Sequence, residues 1–121
     1  MIYGLKPKPK RNKYGAKKAK SGDIVFSSKK ERRRHTRLLL LVQIGAITNL
    51  ELQPRFLLMP AFRFMGKAVR KTEYVADFAY DMGGKHIVED VKGMKTPVYR
   101  IKAKLFQHQY AAPNGWEFHE T

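Results

Sequence analysis

The apolar positions change period several times along the chain, and each change marks an element. GDIVF (22–26) is a short apolar run with the spacing of a strand. In SSKKERRRHTRLLLLVQIGA the period becomes helical. Ser28 with Glu31 three residues on is a capping-box pattern, Leu38, Leu41 and Val42 form a stripe, and Gly45 is the stop. TNLELQPRFLLMP (48–60) reads as one extended run, with Pro54 placing an edge or a bulge inside it. FRFMGKAV (62–69) predicts a hairpin turning at Met65-Gly66. TEYVADFAY (72–80) predicts a strand, DMGG (81–84) a turn, and KHIVEDVKG (85–93) a strand antiparallel to it. Thr96 and Pro97 open a second helix, with Val98, Ile101, Leu105 and Phe106 as its apolar face. PNG (113–115) turns the chain into a last short strand, WEFH (116–119). The core order is helix, three strands, helix, strand, with a small inserted hairpin. It predicts an α/β (α+β) fold, a mixed β-sheet flanked by two helices.

Residues 1–20 break this pattern. Pro7 and Pro9 oppose a helix, eight Lys or Arg repel one another, and little is available to bury. The segment reads as a flexible basic arm ahead of a single domain over 21–121. The charge is correspondingly uneven. Of the net +15, residues 1–37 carry 14 bases and two acids (+12), and residues 38–121 carry 11 bases and eight acids (+3). An excess concentrated in this way calls for a polyanionic partner, and nucleic acid is the commonest. Lys17 and Lys18 in the arm, and Lys29, Lys30, Arg32, Arg33 and Arg34 at the start of the first helix, are the candidate phosphate contacts. A solubilising tail is the bland alternative for the arm. No run of about 18 apolar residues is present, so no membrane span is expected. The absence of cysteine excludes disulfides and thiolate chemistry and fits a reducing cytoplasm.

The unexpected chemistry lies in HIVEDVKG (86–93). Strand alternation puts Asp90 and Lys92 on one face with Val88, and Glu89 on the other with Ile87 and Val91. Pairing across the DMGG turn brings Asp77 near Asp90. Two converging carboxylates repel unless one takes a proton or a cation joins them. Hard oxygen donors suit Mg²⁺ or Mn²⁺. The plainer reading is a surface ion pair of Lys92 with Asp90 or Asp77, worth about 0–1 kcal/mol.

YVADF (74–78) followed by VEDVKG (88–93), within this order of elements, resembles the PD-(D/E)xK nuclease superfamily. It is most similar to a phage-encoded family of small, basic endonuclease-like proteins, which also shows FSSKKE (26–31), LELQPRF (50–56) and KTPVYRIKAKLF (95–106). Holliday-junction resolvases share the layout. The resemblance implies a restriction-endonuclease-like core. It implies Asp77 and Asp90 as metal-binding acids, the Val91 carbonyl as a further ligand, and Lys92 as the residue that orients water or meets negative charge on phosphate. It also implies Glu31 as an additional ligand from the first helix, a role that competes with its place in the capping box. Ala76 stands where the superfamily has proline, and Asp90 where glutamate is more frequent.

The activity implied is divalent-metal-dependent hydrolysis of DNA phosphodiester bonds, with Mg²⁺ or Mn²⁺ as cofactor. Lys95, Arg100, Lys102 and Lys104 of the second helix join the basic residues above in gripping phosphates. No base-reading helix is evident, which points to cleavage selective for branched or junction DNA, or weakly selective for sequence. Cutting both strands would suit a homodimer, and a phage-encoded chain would work in the cytoplasm of a bacterial host. The competing classes are a nucleic-acid-binding accessory protein without catalysis and a nuclease fold kept only for binding. His35 reads as solvated, His86, His108 and His119 have no metal spacing, Gln53 lies near the acids through its strand, and Tyr74 and Tyr80 read as packing or strand surface.

Overall fold

The computed structural model describes residues 19–21, 24–26, 28–92 and 95–121. Most of the basic arm, including Lys17 and Lys18, lies outside the described residues. Ala19 and Lys20, assigned to the arm by sequence, belong instead to a strand, β1 (Ala19–Ser21), which pairs antiparallel with β2 (Ile24–Phe26).

Helix α1 (Lys29–Gln43) begins as the capping pattern predicts. Ser28 Oγ accepts the backbone N–H of Glu31 at 3.1 Å, and Gly45 leaves the helix with φ 79°. The extended run after it is two strands, β3 (Thr48–Leu52) and β4 (Arg55–Met59), divided at Gln53-Pro54. The hairpin β5 (Phe62–Phe64) and β6 (Lys67–Val69) turns at Met65-Gly66 as expected. The segment predicted as one strand over 72–80 is also divided, into β7 (Thr72–Val75) and β8 (Phe78–Met82), with Ala76 and Asp77 between them. Gly83-Gly84 then turns into β9 (Lys85–Asp90).

The two breaks face each other. β4 pairs with β7 and β3 with β8, both antiparallel. The N–H of Gln53 donates to the Asp77 carbonyl at 2.9 Å, and that of Ala76 to the Pro54 carbonyl at 3.1 Å. These bonds carry the pairing across a bend that proline forces on one side. Gln53 takes φ 52°, a conformation costly to a non-glycine residue. The larger sheet has the order β10-β9-β8-β3, with β10 (Glu117–Glu120) parallel to β9.

Each face of the sheet is covered by a helix. Leu38, with half-buried Leu41, packs on Ile47, Phe78, Tyr80, Ile87 and Val91. On the other face Phe106 and Ala111 meet Tyr74, Ala76, Ala79 and Val88. The fold is mixed α+β, a multi-strand sheet with two main helices. Helix α2 (Pro97–Phe106) starts at Thr96, as predicted, but of the expected apolar face it buries only Phe106. Val98, Ile101 and Leu105 are exposed, while Ala103 and Phe106 are buried and Tyr99 half-buried. The opposite sheet face explains the choice. Phe56, Tyr74, Trp116 and Phe118 offer an aromatic surface, and ring faces gain more by meeting Phe106 than by meeting aliphatic side chains. A π-helical turn (Gln107–Ala111) follows, a local underwinding with no sequence signature, and brings Tyr110 onto Phe56. Val42 of the predicted α1 stripe is exposed as well.

One polar contact ties α1 to the sheet. Glu89 is fully buried and receives Arg34 by two bonds, Nε to Oε2 at 2.5 Å and Nη2 to Oε1 at 2.9 Å. Tyr80 donates its hydroxyl to Oε1 at 2.7 Å, and Thr121 Oγ1 to Oε2 at 3.3 Å. Every donor that a buried carboxylate needs is supplied, and from three directions. Arg34→Ala leaves that charge buried without its cation. The expected cost is about 3 kcal/mol, read as a lower urea midpoint with an unchanged slope. Adding Glu89→Gln should recover part of it.

Candidate metal centre and basic face

Parity along β9 sends its two adjacent acids to opposite sides, as the alternation predicts. Glu89 faces α1, and Asp90 faces Tyr74 and Tyr99. Asp90 is fully buried, so the pair it forms with Lys92 exists but does not stand on an exposed face of the sheet. The Tyr74 hydroxyl donates to Asp90 Oδ2 in a short hydrogen bond, and Lys92 Nζ lies 3.5 Å from Oδ1. Among the described residues Oδ1 makes no hydrogen bond. Lys92 is held from its other side by the Tyr99 ring, 4.8 Å from Nζ to the ring centre.

Asp77 sits in the β7–β8 break, one residue before the register Phe78↔Glu89 begins, and so falls opposite Asp90. Its own N–H donates to the Glu89 carbonyl at 3.2 Å, and its Oδ2 accepts the N–H of Val91 at 2.7 Å. The Asp77 carboxyl is pushed far above the usual carboxylate range. Burial is the main cause, followed by the Glu31 and Asp90 carboxyls within hydrogen-bonding and electrostatic reach. Glu31, on the buried face of α1, therefore does two things. Its backbone completes the Ser28 cap, and its side chain joins Asp77. Three carboxyls from three separate segments thus converge.

Among the described residues no group of three or more His, Cys, Asp or Glu side chains stands ready-made around a metal position. Asp77 Oδ2 is turned onto the Val91 amide, and burial beside the Glu31 and Asp90 carboxyls favours the protonated form of Asp77. Its donor chemistry still fits a hard divalent cation. The donors are all carboxyl oxygens, and among the described residues one fully buried oxygen of Asp90 lacks a hydrogen bond.

Around the cluster, sequence reasoning misplaced one histidine and read only part of what the tyrosines do. Of the two alternatives for Tyr74 and Tyr80, packing holds and strand surface does not, and both also serve the acids as donors. Burial first, then the carboxylates they serve, raises their hydroxyl pKa values, to about 12 for Tyr80, so both remain donors. The available signal was the acids themselves: buried Glu89 and Asp90 need donors, and tyrosine is the residue that supplies one from within an apolar face. His35 is buried rather than solvated, stacked parallel to Phe78, and burial lowers its pKa. Gln53 meets the site through its backbone bond to Asp77, not through its side chain.

The basic residues divide in use. Lys30, Arg33 and Arg37, one and two turns apart on α1, line an open cavity of about 710 Å³ floored by Leu40, Val91 and Thr121. Lys29 and Arg32 are also exposed. Arg34 borders the cavity but is engaged by Glu89. On the α2 side Lys95 pairs with Glu120 at 3.0 Å, and Lys102 is half-buried with its pKa lowered by burial, whereas Arg100 and Lys104 are exposed.

A family model described as "Protein of unknown function (DUF1064)" matches residues 11–118. The chain belongs to the DUF1064 family. The match runs through every element described above except the last residues of β10, so the acid cluster and the basic face both lie inside the shared region. No curated protein and no solved structure matches the chain.

The raised Asp77 pKa sets a direction for stability. Folding favours the protonated carboxyl, so without metal the group costs stability as pH rises above the ordinary aspartate value near ~4. In EDTA, Asp77→Asn should raise the melting temperature at pH 7–8 by roughly 5 °C. The gain should shrink as pH falls toward ~4 and vanish below pH ~3, where the wild-type carboxyl is protonated in both states. A melting series from pH ~3 to 8 checks this.

Proposed function

We propose that this protein is a metal-dependent DNA endonuclease of the PD-(D/E)xK type, with a restriction-endonuclease-like core and Mg²⁺ or Mn²⁺ as cofactor. The observation that carries the reading is the meeting of Glu31, Asp77 and Asp90, drawn from a helix, a strand break and a strand end, next to Lys92. A protein that only grips polyanions gains nothing from acids placed beside its basic face, since they repel the ligand. Asp77, Asp90 and Glu31 would hold the cation, with the Val91 carbonyl as a further oxygen donor. A divalent cation there stabilises charge building on a phosphate and lowers the pKa of an attacking water.

The remaining roles belong to the chain itself. Tyr74 fixes the rotamer of Asp90 by its hydroxyl bond, and the Val91 amide fixes that of Asp77. Lys92, kept near Asp90 by the Tyr99 ring, presents its ammonium to the phosphate oxygens or to the attacking water. Lys30, Arg33 and Arg37 on one side and Arg100 and Lys104 on the other contact phosphates without reading sequence. These exposed cations leave selectivity to the shape of the DNA, which supports cleavage of branched or weakly specified sites.

Asp77→Ala, Asp90→Ala and Lys92→Ala should each reduce Mg²⁺-dependent cleavage of plasmid and junction DNA by roughly 100-fold or more, with binding in EDTA retained. Mn²⁺ should raise the melting temperature of the wild type and not of Asp90→Asn. Wild-type cleavage by Asp90→Ala would remove this site from the chemistry.

A further inference from the structure

The β5–β6 hairpin is built in a way that folding alone does not require. Phe62 and Phe64, two residues apart on one strand and hence on one face, are 44% and 62% exposed, and Met65 at the tip is 84% exposed. Met65 and Gly66 both have positive φ, 51° and 79°. A two-residue turn of this kind favours Asn-Gly, so methionine stands there against its backbone preference and against its hydrophobicity together. Arg63 braces the turn, donating from Nη2 to the Gly66 carbonyl at 2.6 Å. The charge around the tip has one sign. Arg63, Lys67 and Arg70 flank it with no acid between residues 53 and 72, while Arg55 and Lys71, nearer the sheet, pair with Glu73 at 3.2 and 3.4 Å.

We propose that this hairpin is a second nucleic-acid contact, a wedge that stacks on unpaired or unstacked bases. Cations spaced among aromatic side chains fit one occupant best. The cations follow phosphates and the flat rings meet base faces, which every base presents regardless of sequence. A fully paired duplex offers phosphates but no base face unless a step is opened, which is the use apolar side chains have at DNA kinks. Val69, where the hairpin ends, is eight residues from Asp77, at most about 27 Å of extended chain. A junction or single-stranded branch gripped at the foot of the hairpin therefore has phosphates within about eight base steps of the acid cluster. Placing the cut relative to the branch rests on the nuclease reading; base stacking by the hairpin does not.

The test uses the full chain in EDTA, so that binding is read apart from cleavage. Fluorescence anisotropy compares a labelled single-stranded oligonucleotide with its blunt duplex. The Phe62→Ala/Phe64→Ala double variant should lose about 10–100-fold in affinity for the single strand and under about threefold for the duplex. Phe62→Tyr/Phe64→Tyr should retain both. Met65→Asn should hold or raise the melting temperature, because asparagine accepts positive φ, while weakening single-strand binding. That opposition keeps the test valid if the double alanine variant folds poorly. Equal loss on both oligonucleotides, or no loss on either, overturns the proposal. So does Phe-dependent binding to anionic lipid vesicles free of nucleic acid, or a wild-type dimer that Met65→Asn dissociates in sedimentation. Absence of Mg²⁺-dependent cleavage would overturn the nuclease reading and leave this one standing.

Discussion

Two adjacent carboxylates, both fully buried and pointing to opposite faces of one strand, are the constraint to which the rest of the fold answers. Neither acid can be left bare in an apolar layer, because an uncompensated buried charge would outweigh most of the net stability of a chain this size. The two are compensated differently. Glu89 is enclosed by Arg34, Tyr80 and Thr121, a set that saturates both its oxygens. Asp90 receives one tyrosine hydroxyl and one lysine at 3.5 Å, and among the described residues keeps an oxygen without a hydrogen bond. The first arrangement is closed. The second has capacity left over.

The closed arrangement also positions the open one. Arg34 and Glu31 lie one turn apart on α1, so the ion pair that holds Arg34 to the sheet sets the depth and rotation of Glu31 as well. The bend at Gln53-Pro54 does the same for Asp77. Proline ends the first run, Gln53 adopts positive φ, and two backbone bonds across the bend place Asp77 at a point where its amide and its carboxyl both meet β9. A site assembled from backbone constraints on one side and a buried ion pair on the other needs few additional contacts to be precise in position.

Much of this architecture was legible in the sequence, and the exceptions share a cause. The Ser28 cap, the Thr96-Pro97 start, the Met65-Gly66 and Gly83-Gly84 turns and the split of Glu89 from Asp90 follow from local rules, because each depends on a few neighbouring residues. The strand breaks at 53–54 and 76–77 were partly hidden. Pro54 signals one, but the second exists because its partner bends, and pairing is not local information. On α2, Phe106 is buried as expected, and Val98, Ile101 and Leu105 are exposed for the same reason. Two helical stripes were available, and the aromatic surface opposite decided between them. Within the site, the acids and Lys92 were visible as a pattern, whereas the donors that sustain them, Tyr74 and Arg34, reveal their role only once their partners are buried.

The three acids stand 46 and 13 positions apart along the chain, at Glu31, Asp77 and Asp90. Their proximity is a property of the finished topology and of no shorter fragment. An incompletely folded molecule keeps its positive charge but holds no gathered carboxylates. The charge and the acid centre thus have different structural thresholds: the first needs only the chain, the second the whole fold. Under the nuclease reading, that separation makes the fold itself a safeguard, since a nascent or damaged chain could adhere to DNA without being equipped to break it.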